Sequence, residues 1–180
     1  NGMGFAKYEI SIDTWDTTVT APALIPYYIA YSSNNAFYYN GYIYTFTSVD
    51  LQTTNETKNY IWRYKITTDK WENLQTATEF WMYTGAVAYD GSRYAYFING
   101  YGGSSAGNTQ IARYDVLANS IFPETPPLPI DKNFVSDSEL IYHQPYTGTS
   151  LVYDNSDTVY YLQGSTGTNP TLNYFNKYTI

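Results

Sequence analysis

Residues 61–71 read Ile61-Trp62-Arg63-Tyr64-Lys65-Ile66-Thr67-Thr68-Asp69-Lys70-Trp71. The first six positions run apolar, any, basic, Tyr, any, β-branched apolar. The same pattern recurs in Phe5-Ala6-Lys7-Tyr8-Glu9-Ile10, Ile111-Ala112-Arg113-Tyr114-Asp115-Val116 and Phe175-Asn176-Lys177-Tyr178-Thr179-Ile180. The tyrosines stand 56, 50 and 64 residues apart, and self-similarity on that scale marks a repeat architecture. Seven residues after three of them come Trp15, Trp71 and Ile121, across turn-like residues 11–14, 67–70 and 117–120. β-Branched and aromatic residues on both sides of a short polar turn predict an antiparallel hairpin closed by an apolar pair.

A second hairpin precedes each later copy. Residues 36–39 and 42–46 flank Asn40-Gly41, and residues 86–89 and 94–98 flank Asp90-Gly91. Asn-Gly and Asp-Gly between alternating aromatics are strong hairpin signals, because these residues accept positive φ. The third version is looser: residues 150–153, the turn Asp154-Asn155-Ser156-Asp157, then residues 158–162. Each period is therefore expected to hold four short antiparallel strands.

Four strands per period, a Gly-rich stretch after the second and a Tyr and Trp seven residues apart together resemble the kelch repeat. Gly102 and Gly103 in Asn99-Gly100-Tyr101-Gly102-Gly103 are similar to that family's glycine pair, and Tyr64 and Trp71 to its aromatic pair. Residues 122–129, which hold Pro123 and Pro129, are similar to its Pro-rich blade connection. The chain departs from the family where Ile121 replaces the Trp, where Thr47-Ser48 stand in the first repeat, and where the third has only Gly164. The resemblance implies an all-β fold of kelch-like β-propeller blades: residues 1–15 the end of one blade, 16–71 and 72–121 two blades, and 122–180 an incomplete one. The three periods average about 57 residues, against about 50 for a kelch unit. Three blades fall short of the roughly 4 to 8 that tile a ring. The expectation is an excerpt of a larger propeller, with completion by another copy as the alternative.

Composition bounds the function. The 180 residues carry 14% charged side chains and a formal charge of -7, which leaves no basic patch for nucleic acid. No apolar run approaches the length of a membrane helix. With Cys 0 and His 1, thiol chemistry, disulfides and multi-imidazole zinc sites are excluded. The 23 Tyr, 4 Trp and 8 Phe suit strands and blade-to-blade packing, where most are expected to be buried. Residues 1–10 lack the pattern of a secretory leader, which suits a mature or trimmed chain. The polar, Lys-poor, Cys-free make-up is similar to that of exported bacterial and archaeal surface proteins, so an extracellular or cell-surface location is expected.

In an up-and-down blade the tight turns share one face, and the long connections, here 16–31, 47–59, 100–109, 123–146 and 164–173, share the other. Recognition is expected there. Tyr27, Tyr28, Trp81, Tyr101 and Tyr146 lie in or beside these segments, where rigid aromatic faces can stack on sugars or anchor a protein, and His143 lies in Tyr142-His143-Gln144-Pro145. Asn55-Glu56-Thr57 fits an N-glycosylation acceptor. Asp131, Asp137 and Glu139 read as a solvated acidic loop, because they lack the spacing and turn glycine of a calcium loop. Lys7, Arg63, Arg113 and Lys177 occupy equivalent repeat positions and are expected to stack on aromatics or pair with carboxylates. Kelch-type copper radical oxidases need a Cys-linked Tyr and several His, and sialidase-like propellers need three free Arg, whereas two of the three here belong to the repeat. The expected function is a non-catalytic module that binds protein or glycan, without cofactor or metal. The alternatives are a structural subunit of a surface layer, appendage or filament that binds further copies of itself, and a fragment of a propeller enzyme.

Overall fold

The computed structural model describes residues 7–16, 36–51, 56–76, 85–98, 111–123, 150–162 and 175–180, and over them the protein is all-β. A two-stranded hairpin joins β1 (Lys7–Glu9) to β2 (Thr14–Asp16). The first four-stranded sheet runs in chain order through β3 (Ala36–Tyr39), β4 (Tyr42–Leu51), β5 (Glu56–Lys65) and β6 (Lys70–Thr76). The second follows the same meander through β7 (Ala86–Tyr89), β8 (Tyr94–Ile98), β9 (Ile111–Asp115) and β10 (Ser120–Pro123). The third holds β11 (Ser150–Tyr153), β12 (Thr158–Leu162) and β13 (Phe175–Thr179). Every neighbouring pair is antiparallel. No helix among the described residues is long and apolar enough to cross a membrane.

The hairpins anticipated from Asn-Gly, Asp-Gly and the Tyr/Trp spacing are present, and Tyr8 faces Trp15, Tyr64 faces Trp71 and Tyr114 faces Ile121 across their strands. One expectation needs correction. Residues 47–59 are not a long connection: β4 and β5 stay paired from Ser48 and Asn59 out to Leu51 and Glu56. Backbone pairing outlasts the apolar pattern there, since ladder bonds need no apolar side chain and Thr and Val favour extended backbone. The third period, expected as an incomplete blade, shows three strands among the described residues. In addition, β6 runs past Trp71 to Thr76, and β10 takes in Phe122 and Pro123.

Local chemistry sets the turns. Asn40 (φ 45) and Gly41 (φ 83) are both left-handed, the requirement of a two-residue turn whose twist matches its strands. The next two sheets use a wider turn instead. There Oδ1 of Asp90 accepts from the N–H groups of Ser92, Arg93 and Tyr94, and Oδ1 of Asp154 accepts from those of Ser156 and Thr158. Gly91 (φ 82) and Asn155 (φ 66) take the positive-φ position of that turn. The second hairpin of each four-stranded sheet ends its turn on a left-handed Asp or Asn, at Asp69 (φ 54) and Asn119 (φ 50), as β1–β2 does at Asp13 (φ 53). The tyrosine five residues earlier donates its hydroxyl to that side chain: Tyr8 to Asp13, Tyr64 to Asp69 at 2.6 Å and Tyr114 to Asn119 at 2.9 Å.

The sheets stack face to face, each with two different faces. Register makes Tyr44, Tyr96 and Tyr160 equivalent, opposite Arg63, Arg113 and Lys177. It likewise makes Tyr64, Tyr114 and Tyr178 equivalent, opposite Ile43, Ala95 and Val159. The first set lies on what we term the front face, the second on the back. Phe37, Tyr44, Phe46 and Ile61 on the front of the first sheet pack against Val87, Ala95, Phe97, Ala112 and Tyr114 on the back of the second. Phe46 lies 5.0 Å from Phe97, and Phe37 stacks on Tyr89 at 4.7 Å between ring centroids. The front of the second sheet, with Ala86, Ala88, Tyr96, Ile98 and Ile111, meets the back of the third, with Leu151, Val159, Tyr161 and Tyr178. The second sheet is thus buried on both sides, which is why its strands read almost continuously apolar where an ordinary antiparallel strand would alternate. Its alanines let the flanking sheets bring large rings into van der Waals contact.

Candidate functional site

An antiparallel meander sends alternate connections to opposite ends. In the three stacked sheets the narrow turns after β3, β5, β7, β9 and β11 gather at one end, where the backbones of adjacent turns are tied together. Ile66 N–H donates to Gly41 O at 3.2 Å, Val116 N–H to Arg93 O at 3.1 Å and Ile180 N–H to Asp157 O at 2.8 Å. The ring contact between Phe37 and Tyr89, both beside such turns, gives the first two sheets the same orientation. The sheets approach most closely along their first strands, β3 with β7 and β7 with β11.

Segments 17–35, 52–55, 77–84, 99–110, 124–149 and 163–174 therefore all attach to the strand ends opposite the narrow turns. Every expected site residue belongs to one of them. Tyr27 and Tyr28 fall in 17–35, Asn55 in 52–55, Trp81 in 77–84, Tyr101 in 99–110, and His143 and Tyr146 in 124–149. All of these, with Asp131, Asp137 and Glu139, lie outside the described residues. What the fold brings together is the set of strand ends from which these segments leave.

Toward the narrow-turn end, several charged groups hold their own sheet together. Arg93 places Nε at 2.9 Å and Nη2 at 2.6 Å from Oδ2 of Asp115, whose Oδ1 accepts from the N–H groups of Leu117 and Ala118. The Arg93 guanidinium, helped by these backbone donors, holds the Asp115 carboxyl down at about 2. Arg63 donates from Nε to Glu72 at 2.6 Å and lies 4.4 Å over the Tyr42 ring, and Arg113 lies 4.8 Å over Tyr94 and 5.6 Å over Phe122. The repeated cation thus stacks on the second-strand tyrosine in both four-stranded sheets, the role its spacing implied. Lys177 is exposed, and the Lys7 side chain lies outside the description.

Sequence reasoning missed two features. The Asp or Asn five residues after each repeat tyrosine was readable from Asp13, Asp69 and Asn119. The Arg93–Asp115 pair is separated by 22 positions and becomes readable only once Tyr94 is placed opposite Asp115. No protein-family model matches the chain, and no curated protein matches it.

Proposed function

We propose that the chain is a run of kelch-like β-propeller blades that acts as a non-catalytic, extracellular recognition module, binding protein or glycan through the long segments at the open strand ends. One observation carries the reading: narrow turns occupy one end of the stack, and every long segment, with all the aromatic candidates, attaches to the other. A rigid scaffold that presents variable segments on one side suits recognition. Blade character is supported by the repeated meander, by front-to-back stacking and by closest approach along the first strands, the geometry of sheets that fan out from an axis. A binding role is supported by the single His and lack of Cys, and by the use of Arg63, Arg93 and Asp115 in structural pairs.

Screening on a glycan array and a panel of purified cell-surface proteins tests this. Trp81→Ala and Tyr101→Ala are expected to weaken the captured interaction about tenfold or more, the usual effect of removing an aromatic anchor, with the unfolding midpoint unchanged. Binding that survives both changes but is lost on substitution of Ser92 at the narrow-turn end would overturn it.

A further inference from the structure

Asn40 lies exposed at the tip of the turn between β3 and β4, with Gly41 after it. An Asn followed by Gly carries its own modification chemistry. The Gly41 nitrogen attacks Cγ of the Asn40 amide, so that an N–Cγ bond forms, the Cγ–Nδ2 bond breaks and ammonia leaves with the backbone amide proton. Water then opens the cyclic imide at either carbonyl, which leaves aspartate or isoaspartate. Glycine favours the attack because it has no Cβ to obstruct the approach, and nothing lies within 4 Å of where a Gly41 Cβ would stand. The other asparagines at left-handed turn positions, Asn119 and Asn155, are each followed by Ser.

The folded turn opposes both requirements of the attack. Asn40 is left-handed, with φ 45. At the ψ of about +47° that belongs to that region, the next nitrogen stands nearly trans to Cβ across the Cα–C bond, turned away from Cγ. The nitrogen must also lose its proton, yet Gly41 N–H donates to the Tyr38 hydroxyl at 3.1 Å. Gly41 O in turn accepts from Ile66 N–H at 3.2 Å, which ties this turn to the one between β5 and β6. We infer that Asn40 is a latent deamidation site latched by Tyr38, and that the reaction runs only when the β3–β4 turn opens. The two products differ in consequence. Aspartate at position 40 repeats the Asp-Gly pair that the second sheet uses at Asp90-Gly91. Isoaspartate adds a methylene to the backbone of a two-residue turn that fixes the register of its strands, and so displaces Gly41 O from Ile66.

Timed incubation of the chain in mildly alkaline buffer, with and without urea, tests this when peptide mapping by mass spectrometry counts aspartate and isoaspartate at position 40. The folded rate is expected about tenfold or more below the rate in urea, because reaction waits on local opening. Tyr38→Phe, which removes one hydroxyl, should raise the folded rate about fivefold, the effect of one hydrogen bond on the opening equilibrium, and leave the rate in urea unchanged. Asn155-Ser156 is the internal control: its rate should not move, since Tyr38 belongs to another turn. Equal rates with and without urea, a Tyr38→Phe rate equal to that of the native chain, or a rise at Asn155 as large as at Asn40 would each overturn the inference.

Discussion

At the position of Gly91, with φ 82 and open space around the site of a Cβ, backbone conformation alone decides which residues fit. The third sheet places Asn155, φ 66, at the equivalent turn position. Gly91→Asn is therefore expected to be nearly neutral, and Gly91→Ala to cost about 1 kcal/mol, because the left-handed region penalises a Cβ that has no polar group to compensate. Urea denaturation of the two variants measures the difference. Tyr114 is fully buried, and its hydroxyl donates to Asn119. Tyr114→Phe should cost about 1 kcal/mol, the net worth of one such bond. Asp115 gives a pH signature. Its folded value of about 2 lies below the ordinary value of about 3.9. The stabilisation it supplies is present above about pH 4 and is lost as pH falls toward 2. The carboxyl of Asp154, held down by the Ser156 and Thr158 donors despite desolvation, acts in the same direction. The urea midpoint of the native chain should fall more steeply between about pH 4 and 2 than that of Asp115→Asn; parallel slopes would remove Arg93–Asp115 as the cause.

Among the elements, the second sheet carries the packing. Phe97 has 0% exposure between sheets, so Phe97→Ala is expected to cost about 3–5 kcal/mol through lost burial and the cavity left. Val152→Thr on the exposed front of β11 should stay within about 0.5 kcal/mol. Thermal or chemical unfolding of the pair reads the contrast. The hairpin elements were legible because Asn40-Gly41, Asp90-Gly91 and the spacing from Tyr64 to Trp71 are local signals, each fixed by turn geometry. The outer parts of β4 and β5 were not, because residues such as Ser48, Asp50 and Asn59 carry the composition of a loop while the backbone ladder continues through them. The two-sided burial of β8 was present in Tyr94-Ala95-Tyr96-Phe97-Ile98, yet only stacking reveals that Ala95 and Tyr96 serve opposite interfaces. The candidate site was legible as far as its segments. Residues such as Trp81 and Tyr101 sit in stretches with no periodicity to place them, and what fixes their end of the molecule is the antiparallel order of the strands.

For the whole molecule, one rule organises the three sheets: the front of each meets the back of the next, with small residues facing rings across the contact. By the same rule the two faces of the second sheet are both covered, while Val152 and Leu162 on the front of the third are exposed. The stacking order is the central claim, and ring-to-ring nuclear Overhauser contacts in a sample with selectively labelled Phe and Tyr test it directly. The account predicts contact from Phe97 to Phe46, with ring centroids 5.0 Å apart, and from Tyr96 to Tyr153 at 5.9 Å, so that neighbouring residues of one strand report to two different sheets. Contacts from Phe97 and Tyr96 to a single sheet, or to neither, would contradict it.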